Sequence, residues 1–151
     1  MSGVRVPPGG TLGILGGGQL GRMLALAAAE LGIQCHIYCP DKASPAFQIA
    51  DRYTCAAYED PAALAAFSES VDAITYEFEN IPAATAAILS AARPVLPAVR
   101  ALETTADRLT EKTFVRSLGI GTAEFRAVDN HADLASDRSW PGRMMVWPLP
   151  S

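Results

Sequence analysis

The chain has 151 residues, half of them hydrophobic and 19% charged, a composition of folded domains rather than disordered segments. That length suits one domain with a real core, or one domain and part of another. A net charge of −4 argues against a nucleic-acid binder that works by neutralising phosphates.

Residues 1–10 are rich in Pro and Gly and not apolar, so they read as a flexible leader and not as a signal peptide. Thr11-Leu-Gly-Ile-Leu is a short buried strand that runs straight into Gly16-Gly-Gly-Gln-Leu-Gly21. The glycines open a helix over 19–31, which Gly32 ends. The Ala-rich middle of this helix is too short to cross a bilayer, so no membrane contact is expected. A second strand over 33–39 and a short helix near Ser44-Pro-Ala-Phe follow, then a third strand over 53–57. Asp60-Pro61 places a capping side chain before a proline at the first helical position, which predicts a helix over 61–70. A fourth strand over 73–78, an Ala-rich helix over 82–92 and a short fifth strand over 94–96 complete the alternation. Such a rhythm predicts an α/β fold, a Rossmann-like parallel sheet with helices on both faces. Beyond it, 102–118 reads as one longer helix stopped by Gly119, 120–128 as a loop entering a strand, and Asp129 as a further cap.

Cys35, Cys39 and Cys55 are odd in number and lack metal-ligand spacing, so they read as inert core thiols in a reducing, cytoplasmic setting.

In a parallel sheet of this kind, ligands bind beyond the carboxyl ends of the strands. Those ends carry Gly16 to Gln19, Asp41 to Ser44 and Glu77 to Asn80, so three polar clusters should converge on one edge. The spacing Gly16-x-Gly18-x-x-Gly21 between strand and helix suits a phosphate, because free amides at a helix start attract anions. A tight turn with no ligand and a nicotinamide dinucleotide site remain as other readings. The dinucleotide reading would use Asp41, 20 residues after Gly21, on the ribose hydroxyls. Glu77 and Glu79 share one side of an extended strand end and could hold hydroxyls or an amine, or simply be solvated. Arg108 and Lys112, one helical turn apart, suit a polyphosphate or a surface pair with Glu111.

The glycine loop, Tyr38-Cys-Pro-Asp with Ser44-Pro-Ala, Ala50-Asp-Arg, Thr75-Tyr-Glu-Phe-Glu-Asn-Ile-Pro and Ala106-Asp-Arg-Leu-Thr-Glu-Lys-Thr-Phe occur in this order. Their succession, over about residues 11–134, resembles the N5-carboxyaminoimidazole ribonucleotide synthase family of the ATP-grasp superfamily. The resemblance implies a preATP-grasp domain over 11–97 and the start of an ATP-grasp domain over 98–135. It implies an ATP-dependent ligase of purine biosynthesis that carboxylates 5-aminoimidazole ribonucleotide with bicarbonate, using Mg2+. By resemblance Gly18, Gln19 and Leu20 line the ribonucleotide site, Ser44, Glu77 and Glu79 lie near its ribose and amine, and Arg108 contacts ATP. No catalytic residue or metal ligand is assigned, and a homodimer is the implied assembly.

Residues 136–151 match nothing in that family. They hold both tryptophans, two of the four methionines and three of the eleven prolines, without periodicity. They read as an aberrant, disordered tail, as a frameshift, splice or annotation artefact would leave. The chain is therefore expected to lack the ATP-handling part and to be inactive alone.

Overall fold

The computed structural model describes residues 3–128 and the backbone of residues 145–146. Two compact units divide the chain, Met1–Leu102 and Glu103–Ser151.

The first unit holds four parallel strands: β1 (Thr11–Leu15), β2 (Gln34–Tyr38), β3 (Arg52–Thr54) and β4 (Ala73–Tyr76), in the spatial order β3-β2-β1-β4. Helix α1 (Gln19–Glu30) follows β1, a 3-10 turn Pro45–Gln48 follows β2, and α2 (Pro61–Glu69) and α3 (Ala83–Ser90) flank β4 in sequence. The α/β parallel sheet expected from the alternation is therefore present.

Strand periodicity sorts the side chains into two cores. Ile14, Cys35, Ile37 and Cys39 pack with Ala25 and Ala28 of α1 on one face. Leu15, Tyr38 and Ile74 pack with Leu64 and Phe67 of α2 and Leu89 of α3 on the other. Phe67 is fully buried, which contributes about 1.5–3 kcal/mol. Its ring explains Gly13, where a Cβ would stand 2.7 Å from Phe67 Cζ. His36 lies edge-on to the same ring, with Nδ1 2.7 Å from Ser70 Oγ and Nε2 2.9 Å from Thr54 Oγ1.

Local signals set several boundaries. Asp60 accepts from the amides of Ala62 and Ala63, each at 3.0 Å, and Pro61 opens α2 as the sequence predicts. Gly32 has φ +71, the left-handed residue that ends α1. The leader is not loose throughout, because Gly9 donates to the Gly32 carbonyl at 2.7 Å and Gln34 donates to Gly10 at 2.9 Å.

Three expected elements differ. The fifth strand is a single bridge, Ile74 to Val95, because only the Ile74 amide and carbonyl pair there, with Pro94 and Leu96. The strand at 73–78 stops at Tyr76, and the chain turns at 77–81. The long helix over 102–118 is two helices, α4 (Val99–Thr105) and α5 (Arg108–Ser117). Asp107 makes the break by leaving helical geometry (φ −113, ψ 126) and accepting the Thr110 amide at 2.7 Å.

In the second unit Lys112 is buried and donates to Thr122 Oγ1 at 3.0 Å, and the Arg116 guanidinium stacks 4.2 Å from the Phe125 ring centroid. Strand β5 (Arg126–Ala127) pairs in parallel with β6 (Met145–Val146), two residues of the segment for which the sequence offers no element. The other readings of residues 136–151, and the cap at Asp129, lie outside the described residues. No helix among the described residues is long and apolar enough to cross a membrane.

Candidate ligand site at the glycine loop

The chain leaves β1 through Gly16, whose φ of +106 demands glycine, and its amide stays tied to the Tyr38 carbonyl at 2.9 Å. Gly18 then caps α1 in extended geometry without a side chain to offer. Glu77 supplies the missing acceptor from the end of β4. Its Oε1 accepts the Gly18 amide at 2.8 Å, and its Oε2 accepts the Gly21 amide in a short hydrogen bond. A carboxylate on the first turn of a helix meets both the free amides and the positive end of the helix dipole. The anion that this loop attracts is therefore a side chain of the protein itself.

The glycines are explained by what leans on them. A Cβ on Gly16 would stand 2.6 Å from Glu77 Oε1, one on Gly18 2.9 Å from it, and one on Gly21 3.0 Å from Oε2. Gly17 makes room on the opposite side, where its Cβ would stand 2.6 Å from Ser44 Cβ and 3.0 Å from Cys39 Cβ.

Ser44 is 4% exposed beneath that glycine. Its Oγ lies 2.7 Å from the Asp41 carbonyl and 3.1 Å from Cys39 Sγ, and Ala46 donates to the Gly17 carbonyl at 3.0 Å. From α1, the Arg22 guanidinium reaches the Pro45 carbonyl at 3.2 Å and Gln48 Oε1 at 2.6 Å. The loop after β2 is thus fastened to both the glycine turn and the helix.

Below them Tyr58 stacks on Tyr38, centroids 5.9 Å apart, beside the Cys39 thiol. Burial, reinforced by that thiol, pushes the Tyr58 hydroxyl far above its ordinary range, so it stays protonated. Burial likewise raises Tyr38 to about 12, and its hydroxyl donates to the Ala57 carbonyl at 2.6 Å. Nothing in the spacing of Tyr58 marked it for this place.

The structure brings Gly18, Gln19, Leu20, Ser44 and Glu77 to one edge, as the convergence of strand ends predicts. Gln19 and Leu20 are exposed on the first turn of α1, and Glu77 is half-buried. The extended chain on which Glu77 and Glu79 would share a side ends at Tyr76, and Glu79 lies exposed in the turn that follows. Arg108, in the second unit, opens α5 and pairs with Glu111, its side chain 60% exposed. Lys112 is not beside it on the surface. Cys55 is exposed, so only Cys35 and Cys39 are core thiols.

The dinucleotide reading fails on two contacts. Asp41 Oδ1 accepts the Ala43 amide at 2.9 Å and shapes its own loop, and Glu77 already occupies the glycine amides where a pyrophosphate would sit.

The family model of the ribonucleotide synthetase preATP-grasp domain matches residues 10–106. The chain belongs to that family. Among preATP-grasp relatives, N5-carboxyaminoimidazole ribonucleotide synthase of Brucella melitensis is 51% identical over 127 residues, 84% of this chain and 35% of the relative. The bifunctional purine synthesis protein purC/E of Dictyostelium discoideum is 47% identical over 87% of this chain and 13% of its own length. An ADP complex of N5-carboxyaminoimidazole ribonucleotide synthetase superposes with a TM-score of 0.84 at 38% identity, over 93% of this chain and 38% of that one. The Aspergillus clavatus synthase, solved with ADP and 5-aminoimidazole ribonucleotide, gives 0.72 at 29% identity, over 84% and 35%. The preATP-grasp chain thus spans about a third of the length of the synthases it matches.

Proposed function

We propose that this chain supplies the ribonucleotide-binding part of an N5-carboxyaminoimidazole ribonucleotide synthase, which carboxylates 5-aminoimidazole ribonucleotide with bicarbonate at the expense of ATP. The observation that carries this reading is the seat of Glu77 on the Gly18 and Gly21 amides. A carboxylate seated on two amides at that edge is an acceptor for an amine or hydroxyl, not a place for phosphate. Two of its acceptor positions are taken by the loop, and the others are available to a ligand. Gln19 and Leu20 border it on the exposed first turn of α1. Ser44 acts by fixing the loop after β2, and Glu79 reaches the ligand only from the turn that follows Glu77.

Arg108 fits a nucleotide phosphate. Its guanidinium engages Glu111 through one nitrogen, and the remaining donors of the fork suit phosphate oxygens. ATP would supply the phosphoryl group that activates bicarbonate. Among the described residues no cluster of three or more His, Cys, Asp or Glu could hold a metal, and magnesium enters this reading on resemblance alone. Cytoplasmic location and a homodimer accompany this proposal on resemblance alone.

Calorimetric titration tests it. The chain should bind 5-aminoimidazole ribonucleotide saturably and NADH not at all, and Gln19→Ala, on an exposed position, should weaken the first. Saturable NADH binding with none for the ribonucleotide would overturn the reading.

A further inference from the structure

On the flank of the sheet opposite β4, a cavity of about 560 Å³ opens between the loop after β2 and the end of β3. Lys42, Ser44, Phe47, Gln48, Tyr53 and Cys55 line it. It shares only Ser44 with the glycine-loop site, and the hydroxyl of Ser44 is engaged by Asp41 and Cys39.

Its walls are built rather than incidental. Phe47 and Tyr53 stack with centroids 4.4 Å apart and planes 19° from parallel, yet Tyr53 remains 59% exposed. A flat ring held in place by a neighbour is a platform on which a further ring can stack. Arg22 fixes the 3-10 turn that carries Phe47 and Gln48, so this wall is set before any ligand arrives. The same bond to Oε1 orients the Gln48 amide and leaves its NH2 to donate. Lys42 is exposed and brings a cation, and the adjacent Asp41 carboxylate accepts the Ala43 amide through Oδ1.

We propose that this cavity binds a planar nitrogen heterocycle bearing an anionic group, the chemistry of a purine mononucleotide. The ring stacks on Tyr53, Gln48 donates to a ring nitrogen, and Lys42 pairs with the phosphate. The site is independent of the ribonucleotide reading of the glycine loop.

Cys55 is a built-in reporter, because it is exposed in the cavity whereas Cys35 and Cys39 are buried. Its alkylation by iodoacetamide in the intact chain, mapped by mass spectrometry, is followed with AMP, adenosine or inorganic phosphate present. AMP at about ten times its dissociation constant should slow Cys55 alkylation about tenfold, since only the free site reacts. Adenosine should protect more weakly and phosphate not at all. Lys42→Gln should reduce the effect of AMP to that of adenosine, and Tyr53→Ala should abolish it, with melting curves showing both variants folded. Unchanged alkylation at millimolar AMP, equal protection by phosphate, or full protection in folded Tyr53→Ala would each overturn the proposal.

Discussion

Glu77 Oε1 accepts the backbone amide of Gly18 at 2.8 Å across 59 positions of sequence, and this bond joins the end of β4 to the start of α1. Together with the bond to Gly21 it replaces the ligand that a glycine-rich loop is usually read as awaiting. Charged hydrogen bonds of this kind contribute about 1.5–3 kcal/mol each, more than a neutral cap. Replacing Glu77 by Ala should therefore lower stability by about 2–4 kcal/mol, since both amides lose their acceptor. Glu77→Gln should cost less but not nothing, because one position of the amide presents N–H to N–H. Urea unfolding of the three proteins checks the order.

Gly17 faces Ser44 closely enough that Gly17→Ala should cost about 1–3 kcal/mol through overpacking. A compensating Ser44→Gly should recover part of that loss, whereas the same change in the wild-type background should destabilise. A double-mutant cycle in denaturant measures the coupling.

His36 gives a pH signature. Burial, with a smaller push from Arg52, lowers its folded pKa below the ordinary value of 6.5. Between the folded pKa and 6.5 the unfolded chain binds more protons, so stability rises with pH there. The contribution is complete above about 6.5 and is lost as pH falls through the folded value. Unfolding midpoints at pH 7.5 and 5.5 should differ in that sense, and His36→Asn should shrink the difference.

Asp107 holds the start of α5, and its carboxylate is kept below the usual range by the Thr110 amide it accepts. Asp107→Ala should fray the first turn, at a cost of about 1 kcal/mol, while Asp107→Asn keeps the cap. Amide exchange at Thr110 and Glu111 reports the difference.

Much of this architecture was legible because it is written locally. The glycine exit from α1 at Gly32 and the Asp60-Pro61 start of α2 each lie within a few residues of what they control. The seat of Glu77 was not legible, because it depends on β4 lying beside β1, and the glycine spacing is the same whether the loop meets a phosphate or a side chain. Glu77 and Glu79 looked paired only on the assumption of an extended chain, which ends at Tyr76. The break at Asp107 had a local signal in the capping residue, hidden by helical pattern on both sides. Cys55 sits just past the edge strand β3, where the chain is covered from one side only, so strand pattern alone could not bury it.

Amide NMR of the labelled chain addresses the central claim most directly, by following Gly18 and Gly21 during separate additions of inorganic phosphate and 5-aminoimidazole ribonucleotide. With Glu77 seated, phosphate leaves both glycine amides unmoved, and the ribonucleotide shifts Gln19 and Leu20 most. A saturable shift of Gly18 and Gly21 with phosphate in the wild-type chain would contradict the assignment of Glu77 as the anion of the loop.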